Sequence, residues 1–506
     1  MDLVNVIKKN VAPIVLTSVF IVLAATSMVN KSLTCDEVAH HLPPGYVFLK
    51  TGDFAFSTDA PPLARLIAAA PMLFMDIDLP DTREFWARDD RAEFSREFLF
   101  KLNRNNVPRI TFWGRSTMIF IGAFGGIFLF YWARKHFNDF TAAFVSFFYF
   151  LSPNILAHAR LATTDICCSV FIMCTVLCFW DFLVEKKTIS VIFSGIFWGL
   201  ALASKFSAVL LLPVFVIAFI VNILYGKDVK KNGYISSSLG KLFFIFFITF
   251  FILWGVYGFE FRPLLQGVLR PDEKEVFFIS LLSRIPFLGD SAERIGQKIL
   301  YTMQMPLSSF VMGIMGVLKH GAEGSATFFM GEWKHFGHPL YYFVAGLIKT
   351  PIAILISFLI GITVLFRSKS RGLCAYLVFV IAVFVIMASR SNLQLGLRYV
   401  LPAYPIMFIF SGIGVTYLMA RGKASKSLGI LLVLWLTVVN MITWPNYLSY
   451  FNEFIGGPAN GYKYLRDSNI DWGQDLPELK KFMVRNDIDD IKLSYFGEGC
   501  LCYKCE

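Results

Sequence analysis

The sequence predicts an all-α protein that crosses a membrane many times. Of its 506 residues, 56% are hydrophobic and only 16% are charged, whereas soluble domains carry about 25% charged residues. The mean hydropathy is +0.59, and the apolar residues fall in runs of about 20, the length that crosses a bilayer as a helix. These observations exclude a soluble globular enzyme, a disordered chain, a collagen and a coiled coil.

The first apolar run is 11–29, and Lys8 and Lys9 precede it. Residues 24–26 resemble a signal-peptidase site, but the run is long for the apolar region of a signal peptide, so we expect an uncleaved anchor. Further runs bring the prediction to about eleven spanning helices. These runs are 111–133, 139–157, 164–184, 188–204, 206–225, 240–258, 341–366, 372–388, 400–419 and 427–445.

The basic clusters of the sequence all fall on one side of this predicted topology. The positive-inside rule assigns that side to the cytoplasm. We therefore expect a cytoplasmic (inner) membrane protein with its N-terminus inside and its C-terminus outside. Because topology accounts for the net charge of +11, we expect no nucleic-acid partner. The clusters lie at 8–9, 134–135, 186–187, 227–231, 367–371 and 421–426.

The long hydrophilic segments lie on the outer side of this topology. We predict a membrane domain over 1–445, with outer loops at 31–108 and 261–340, and a short outer segment at 446–506. Two apolar stretches inside the outer loops are too interrupted to span. The stretch 61–74 is bounded by proline and predicts a helix on the membrane surface, and 299–318, which Pro306 and several glycines interrupt, predicts an interfacial or re-entrant segment.

Acidic residues follow or open predicted spans at the outer face. Asp36 and Glu37 come directly after the first span, and Asp165 opens the fourth. One explanation is a helix cap, with Thr34 or Asp36 as the N-cap residue; the other is a general base at the membrane–water boundary. Since His40 lies three residues after Glu37, a divalent-metal site at Asp36, Glu37 and His40 also stays open, although the sequence predicts no firm cofactor.

Cations also lie at the outer ends of predicted spans. A lone lysine there usually extends its charge to water, but the positive-inside trend makes an outer lysine less expected, so Lys205 could hold a phosphate. Arg398 could hold an anionic head group, Lys349 is a weaker example, and Arg65 is expected to be solvated. A base beside phosphate-binding cations suits a transferase of sugars from lipid phosphates, and the same residues would suit a transporter of lipid-linked carriers.

At these residues the sequence resembles the polyprenyl-phosphate-dependent membrane glycosyltransferases of the GT-C class, which include protein O-mannosyltransferases and the aminoarabinose transferases of lipid A. The resemblance covers nearly the whole chain and rests on the order of several short motifs. These are Asp36-Glu37 with Gly45-Tyr46 and Pro61-Pro62-Leu63, the segment 158–165, Ser204-Lys205-Phe206-Ser207, the segment 331–351, and Arg398-Tyr399 with Pro402 and Pro405.

The C-terminal segment is most similar to a bacterial branch called phospholipid carrier-dependent glycosyltransferases. The likeness lies at 450–453, at 456–458 and in the long polar run Asp-Ser-Asn-Ile-Asp-Trp-Gly-Gln-Asp-Leu at 467–476. We expect this run to cover the active site or to present the acceptor. Three cysteines then close the chain, Cys500, Cys502 and Cys505, which could pair, bind a metal or be incidental.

The resemblance implies a GT-C-type fold and the transfer of a single sugar, with inversion, from a polyprenyl-phosphate donor. It implies an acceptor outside the cytoplasm, which could be a protein, a lipid or a glycan, and a site in contact with the lipid bilayer. The implied catalytic residues are Asp36 as base, with Glu37 and Asp165 as supporting acids. The implied ligands of the donor phosphate are Lys205 and Arg398, and further candidates are His40, His158, Arg65, Lys349 and Tyr399.

One departure from the family and two alternative functions stay open. Aminoarabinose transferases commonly carry a lysine before the proline pair, where this sequence has Ala60 after Asp59, so one donor contact is in doubt. A transporter or flippase of lipid-linked sugars predicts charges deep in the spans. An oligosaccharide ligase shares the donor chemistry but uses pyrophosphate-linked chains.

Overall fold

The computed structural model describes residues 3–81, 91–225, 234–265, 271–284 and 291–493. These residues are mainly helical. The α-helices are α1 (Leu3–Met28), α2 (Leu42–Thr51), α3 (Leu63–Ala69), α4 (Arg91–Arg96), α5 (Val107–His136), α6 (Asp139–Phe150), α7 (Pro153–Ala159), α8 (Thr164–Glu185), α9 (Thr188–Ser204), α10 (Leu211–Tyr225), α11 (Tyr234–Val256), α12 (Pro271–Ser283), α13 (Ser291–Tyr301), α14 (Ser308–Glu323), α15 (Tyr341–Lys349), α16 (Ile352–Phe366), α17 (Arg371–Arg390), α18 (Ala403–Met419), α19 (Lys423–Thr443) and α20 (Leu476–Arg485).

Two small antiparallel sheets accompany the helices. Strand β1 (Phe261–Arg262) pairs with β2 (Met305–Pro306), and β3 (Thr327–Phe329) pairs with β4 (Glu332–Lys334). Both sheets belong to the predicted outer loop 261–340. They tie its short helices together and leave the membrane bundle itself all-α.

Seven helical segments in the described ranges are long and apolar enough to cross a membrane, or nine if two bent helix pairs each count as one span. The predicted multi-pass membrane class is therefore confirmed. The predicted count of eleven is not confirmed, because α9 and α18 have only 17 residues each. At 1.5 Å per residue each extends about 26 Å, slightly less than the hydrocarbon core of about 30 Å.

Both bent pairs break at a proline inside a predicted span. Helices α6 and α7 meet at 59° where Pro153 begins α7, and α15 and α16 meet at 110° where Pro351 precedes α16. Proline lacks a backbone N–H and disfavours helical geometry at the residue before it. The second bend leaves Lys349 at the end of α15, turned into the protein and buried.

The two interrupted apolar stretches of the outer loops are not spanning helices. The stretch 61–74 forms α3 and a short 3₁₀ helix, Ala70–Phe74. The expectation of a solvated Arg65 is wrong, because this side chain is 0% exposed and forms an ion pair with Asp59. The stretch 299–318 is broken between α13 and α14, where Pro306 lies in strand β2, as its proline predicted.

Helix α8 lies at the centre of the bundle. Of its most apolar 18 residues, 94% are buried, and it packs against α5, α9 and α18. A helix that is apolar on all sides is stable in such a position. Asp165, the second residue of α8, is therefore held in the interior of the protein, at the end of the bundle where α9 ends and α18 begins.

A buried ion pair fixes the loop after α1 to the bundle. Arg115 of α5 donates from Nε and Nη2 to the two carboxylate oxygens of Glu37, at 2.8 and 2.7 Å. Glu37 also accepts the backbone N–H groups of Thr34 and Ala162, at 2.8 Å each, and the Thr34 hydroxyl accepts the Glu37 N–H at 3.3 Å. This reciprocal pattern is a capping box, so Thr34 is the cap and Asp36 is left for other contacts.

We predict that Arg115→Met destabilises the protein by about 3–5 kcal/mol, because it leaves the Glu37 carboxylate buried without its cation. Thermal unfolding of the purified protein in detergent measures the loss. The matched control is Lys101→Met, which breaks the exposed Lys101–Glu97 pair at 3.7 Å and should cost less than about 1 kcal/mol. Equal stability of the two variants would contradict the role assigned to Arg115.

Candidate active site

Two ion pairs bring together four of the predicted site residues. Arg398 Nη1 lies 2.7 Å from Asp36 Oδ2, and Lys205 Nζ lies 2.7 Å from Asp165 Oδ1. The ring of Tyr399 links the pairs, because its centroid is 4.5 Å from Lys205 Nζ and 5.6 Å from Arg398 Cζ. We call these five residues the ion-pair cluster.

Each charged member of the ion-pair cluster lies where a helix begins or ends. Asp36 precedes the π-helix Glu37–His41, and Asp165 is in the first turn of α8. Lys205 separates α9 from the 3₁₀ helix Phe206–Leu210, and Arg398 lies in a 3₁₀ turn before α18. Helix ends leave backbone groups free to meet polar partners, so the polar cluster forms without interrupting the interior of a span.

The Asp36 carboxyl is held in its ionised form. Burial alone raises its pKa, but the positive charge of Arg398, followed by His40 and His41, outweighs burial and leaves the pKa below the ordinary value of 3.8. Asp36 is therefore a carboxylate at neutral pH. Its Oδ2 accepts a hydrogen bond from Arg398 Nη1 at 2.7 Å.

The two cations keep their charge despite burial. Burial lowers the pKa of Lys205, but Asp165 raises it more strongly, and the net change is upward. Burial likewise lowers the pKa of Arg398, while Asp36 and then Asp165 raise it. An anionic ligand entering the cluster would therefore meet a permanent ammonium and a permanent guanidinium.

A second polar group lies beside Asp36. His40 Nδ1 is 2.6 Å from Asp59 Oδ2, and Arg65 Nη2 is 2.8 Å from Asp59 Oδ1. Burial lowers the pKa of His40, but the negative charge of Asp59 outweighs burial and raises it above 6.5. Asp59, which stands near the position where aminoarabinose transferases commonly carry a lysine, thus binds a histidine and an arginine of this chain.

The three residues considered as metal ligands do not converge. Asp36, Glu37 and His40 each form an ion pair with a different side chain. Glu37 has both oxygens engaged by Arg115. The divalent-metal site suggested by their spacing is therefore not formed, and the residues of this region fit an ion-pair network instead.

Within the described ranges, a group of three potential metal ligands occurs only where the C-terminal ends of α5 and α8 meet, away from the ion-pair cluster. His136, Asp181 and Glu185 are within reach of one ion. Lys135 Nζ lies 2.6 Å from a carboxylate oxygen of both Asp181 and Glu185, and His136 Nε2 lies 2.7 Å from Asp181. Lys187 Nζ also lies 3.0 Å from Glu185, so two lysines balance the two carboxylates and the group forms an ion-pair network.

Two further predicted residues, His158 and Lys349, are buried near the ion-pair cluster but differ in their contacts. His158, at the end of α7, acts electrostatically on Asp165 and Arg398, and its Nδ1 is buried without a hydrogen-bond partner among the described residues. Lys349 instead donates to the carbonyls of Leu448 and Asn469, at 2.9 and 2.5 Å. Lys349 therefore binds the C-terminal segment.

The polar run near the C-terminus fixes the turn that carries Arg398. The side chain of Asn469 accepts the Leu397 N–H at 3.0 Å and donates to Tyr341 Oη at 3.0 Å. Ser468 Oγ donates to the Leu395 carbonyl at 2.6 Å. Between these two contacts lies Gly396, where a Cβ would stand 2.3 Å from Ser468 Oγ, so only glycine allows the two segments to approach this closely.

The same run fixes the loop that carries Asp36. The carbonyl of Trp472 accepts the Cys35 N–H, and the carbonyl of Gln474 accepts the Ser32 N–H, both at 3.0 Å. The Arg398 guanidinium lies 4.0 Å from the Trp472 ring centroid, a cation–π contact. We call residues 467–475 the strap, because they bind both partners of an ion pair whose members are 362 residues apart.

Some residues of this region were missed in the sequence analysis, although one of them stands out in the sequence. Arg115 is a charged residue inside the predicted span 111–133, and an intramembrane charge always needs a partner; that partner is Glu37. Asp59, which precedes Ala60 and the proline pair, was not predicted as a site residue. Cys500, Cys502 and Cys505 lie outside the described residues.

A separate recess of about 250 Å³ lies behind the Asp36 loop, between the end of α1 and the start of α5. Its polar lining includes Lys31 and Arg115. Both cations are already paired, Lys31 with Asp475 and Arg115 with Glu37. No member of the ion-pair cluster lines this recess.

The fold is similar to those of two solved membrane proteins. ArnT from Cupriavidus metallidurans, solved with undecaprenyl phosphate bound, gives a TM-score of 0.53 at 12% identity, over 85% of this chain and 64% of that chain. The oligosaccharyltransferase of Archaeoglobus fulgidus, in its apo form, gives a TM-score of 0.50 at 12% identity, over 86% and 56%. These likenesses confirm the predicted GT-C-type fold.

Sequence comparison adds a partial match. Residues 92–265 match the family described as dolichyl-phosphate-mannose-protein mannosyltransferase. This range contains Asp165 and Lys205 but neither Asp36 nor Arg398. No curated protein sequence matches the chain significantly. The chain spans less than two thirds of the length of either solved protein, 64% and 56%.

We predict that Asn469→Leu loosens both segments that the strap binds. The substitution removes the acceptor for the buried Leu397 N–H, at a cost of about 1–3 kcal/mol. Hydrogen–deuterium exchange should become faster in residues 31–36 and 395–400 together. Asn460→Leu, whose side chain bonds only within the exposed C-terminal segment, should change neither. Faster exchange in only one of the two segments would contradict the strap's role.

Proposed function

We propose that the chain is an integral membrane glycosyltransferase, which moves a sugar from a polyprenyl-phosphate donor to an acceptor hydroxyl outside the cytoplasm. The observation that carries the proposal is the ion-pair cluster, in which two carboxylates and two permanent cations meet at one end of an apolar bundle. The GT-C-type fold and the partial match to a mannosyltransferase family support it. ArnT, which shares the fold, binds undecaprenyl phosphate.

Arg398 and Lys205 are assigned to the donor phosphate. A guanidinium binds phosphate oxygens through two parallel N–H groups, and an ammonium adds a point charge beside them. In the free protein their partners are Asp36 and Asp165. As the sugar–phosphate bond breaks, negative charge grows on the leaving phosphate, and these preorganised cations stabilise it.

Asp36 is assigned as the base. The acceptor O–H bond breaks as the new bond forms between that oxygen and the anomeric carbon, and the proton passes to the Asp36 carboxylate. The bond from the anomeric carbon to the phosphate oxygen breaks on the opposite face of the sugar, with inversion. Because the pKa of Asp36 is low, it accepts the proton late, when the acceptor oxygen already carries positive charge.

The remaining predicted residues support these three. Asp165 is assigned to hold Lys205, with which it pairs at 2.7 Å, and Tyr399 separates the two cations. Glu37 holds the Asp36 loop through Arg115, and Lys349 holds the strap through the Asn469 carbonyl. Arg65 fixes Asp59, which in turn orients His40 beside Asp36.

The second candidate is an oligosaccharide ligase, which the likeness to the Archaeoglobus oligosaccharyltransferase favours. It differs in its donor, which carries a pyrophosphate and a longer glycan. A transporter or flippase is disfavoured, because the cluster lies at helix ends rather than in mid-span. The acceptor, whether protein, lipid or glycan, belongs to the outer side together with the cluster, and the N-terminus belongs to the cytoplasmic side.

We predict that Asp36→Asn lowers transfer by about 10²–10⁴-fold, because it removes the base. The purified protein is incubated with polyprenyl phosphates that carry different single sugars, with cell-envelope extract as acceptor, and release of polyprenyl phosphate is measured. Asp489→Asn, an exposed substitution in the C-terminal segment, should keep full activity. Release that persists in Asp36→Asn would move the role of base to another group, with Asp165 as the next candidate.

We also predict that Arg398→Gln and Lys205→Gln each weaken the binding of polyprenyl phosphate about 10- to 100-fold, since each removes a charged hydrogen-bond donor. Binding is measured with the lipid phosphate in nanodiscs. Lys480→Gln, which removes an exposed cation of α20, is the matched control and should bind as the wild type does. Unchanged binding in both cluster variants would rule out the phosphate site.

A further inference from the structure

A tyrosine beside the ion-pair cluster has a buried hydroxyl without a partner. Tyr342 is 1% exposed, and its Oη makes no hydrogen bond with any described residue. It lies in α15, which packs against the turn that carries Arg398, and the charges of Arg398 and Asp467 act on it. An unpaired buried hydroxyl costs about 1–3 kcal/mol, and such a group in a native protein points to a partner that binds there.

Asp467, the first residue of the strap, precedes Ser468, whose hydroxyl donates to the Leu395 carbonyl close to the Arg398 turn. Its backbone has a φ of 60°, a left-handed conformation that few residues other than glycine adopt and that is concentrated at functional sites. Its Oδ1 accepts the Ser468 N–H. Arg398 forms its ion pair with Asp36 rather than with Asp467, but its charge still acts on Asp467. The second carboxylate oxygen of Asp467 makes no hydrogen bond or ion pair with the described residues.

These groups flank the turn that carries Arg398, the proposed phosphate ligand. The anomeric carbon is bonded directly to a phosphate oxygen, so the sugar ring must lie against the residues that flank the phosphate ligand. A tyrosine hydroxyl can donate and accept, and a carboxylate accepts from two hydroxyls.

We propose that Tyr342 and Asp467 bind hydroxyl groups of the donor's sugar and form a saccharide subsite beside Arg398. The proposal rests on the proposed function and deepens it, because it separates recognition of the sugar from recognition of the phosphate. The ligand class is a hydroxyl-bearing monosaccharide linked to polyprenyl phosphate. The same lipid phosphate without a sugar makes no contact with the subsite.

Both residues allow substitutions that spare the fold. Tyr342→Phe removes only an oxygen that has no hydrogen-bond partner among the described residues. Asp467→Asn keeps a side chain that adopts left-handed backbone readily, and it removes the charge. A purely structural role would therefore leave both variants close to wild type in every binding measurement.

The test compares two ligands on the full chain in nanodiscs. One is undecaprenyl phosphate. The other is a glycosylated undecaprenyl phosphate, chosen from forms that carry a hexose, an N-acetylhexosamine or an aminopentose as the one that the wild type binds most tightly. Tyr342→Phe should weaken binding of the glycosylated lipid about 3- to 10-fold, and Asp467→Asn about 10-fold or more. Binding of undecaprenyl phosphate should stay within about twofold of wild type in both variants.

The matched control is Tyr450→Phe. Tyr450 Oη is also buried and makes no hydrogen bond within the described part of the chain, but its electrostatic neighbours are Glu453 and Tyr404 rather than the cluster. This variant should bind both ligands as the wild type does. The same change in binding of the glycosylated lipid in Tyr342→Phe, Asp467→Asn and Tyr450→Phe would overturn the subsite.

The remaining outcomes separate the subsite from the proposed function. Equal weakening of both ligands by Tyr342→Phe and Asp467→Asn would overturn the subsite, because those residues would then support the phosphate site. A wild type that binds undecaprenyl phosphate at least as tightly as every glycosylated form would overturn the subsite and leave the phosphate site intact. A wild type that binds neither lipid would overturn the proposed function and the subsite with it.

Discussion

The ion pair between Asp36 and Arg398 is the contact on which the rest of the site depends. It joins the loop after the first helix to a turn that lies 362 residues later in the chain. Burying two charges costs free energy unless their geometry and further hydrogen bonds are good. Three supports provide that geometry: the Glu37–Arg115 pair under the loop, the stacking of Trp472 on Arg398, and the hydrogen bonds of the strap.

The proposed function depends on an exchange of partners at Arg398 and Lys205. In the free protein Arg398 neutralises Asp36, so neither charge is isolated inside an apolar bundle. A phosphate bound at Arg398 and Lys205 would compete with the two carboxylates for their cations, and the freed Asp36 would face the acceptor. The strap holds Asp36, the proposed base, at a set distance from Arg398, the proposed phosphate ligand, because it binds the backbone on both sides of the pair.

The sequence was sufficient to predict four charges that the structure brings together in ion pairs, but not what each of them contacts. Asp36, Asp165, Lys205 and Arg398 stand out because a charge at the end of an apolar helix is costly and therefore rarely accidental. The pairing of residues hundreds of positions apart depends on how the helices pack, which no local pattern records. For the same reason Arg65 was expected in water, although it is buried against Asp59, and the spacing of His40 suggested a metal.

The direct test of this account is a structure of the full chain with undecaprenyl phosphate bound, determined by cryo-electron microscopy in nanodiscs. We predict a phosphate with oxygens about 3 Å from the Arg398 guanidinium and from Lys205 Nζ, with the Asp36 carboxylate in the same cleft. A phosphate bound instead at the recess lined by Lys31 and Arg115, or away from both cations, would contradict the central claim that the ion-pair cluster is the donor site.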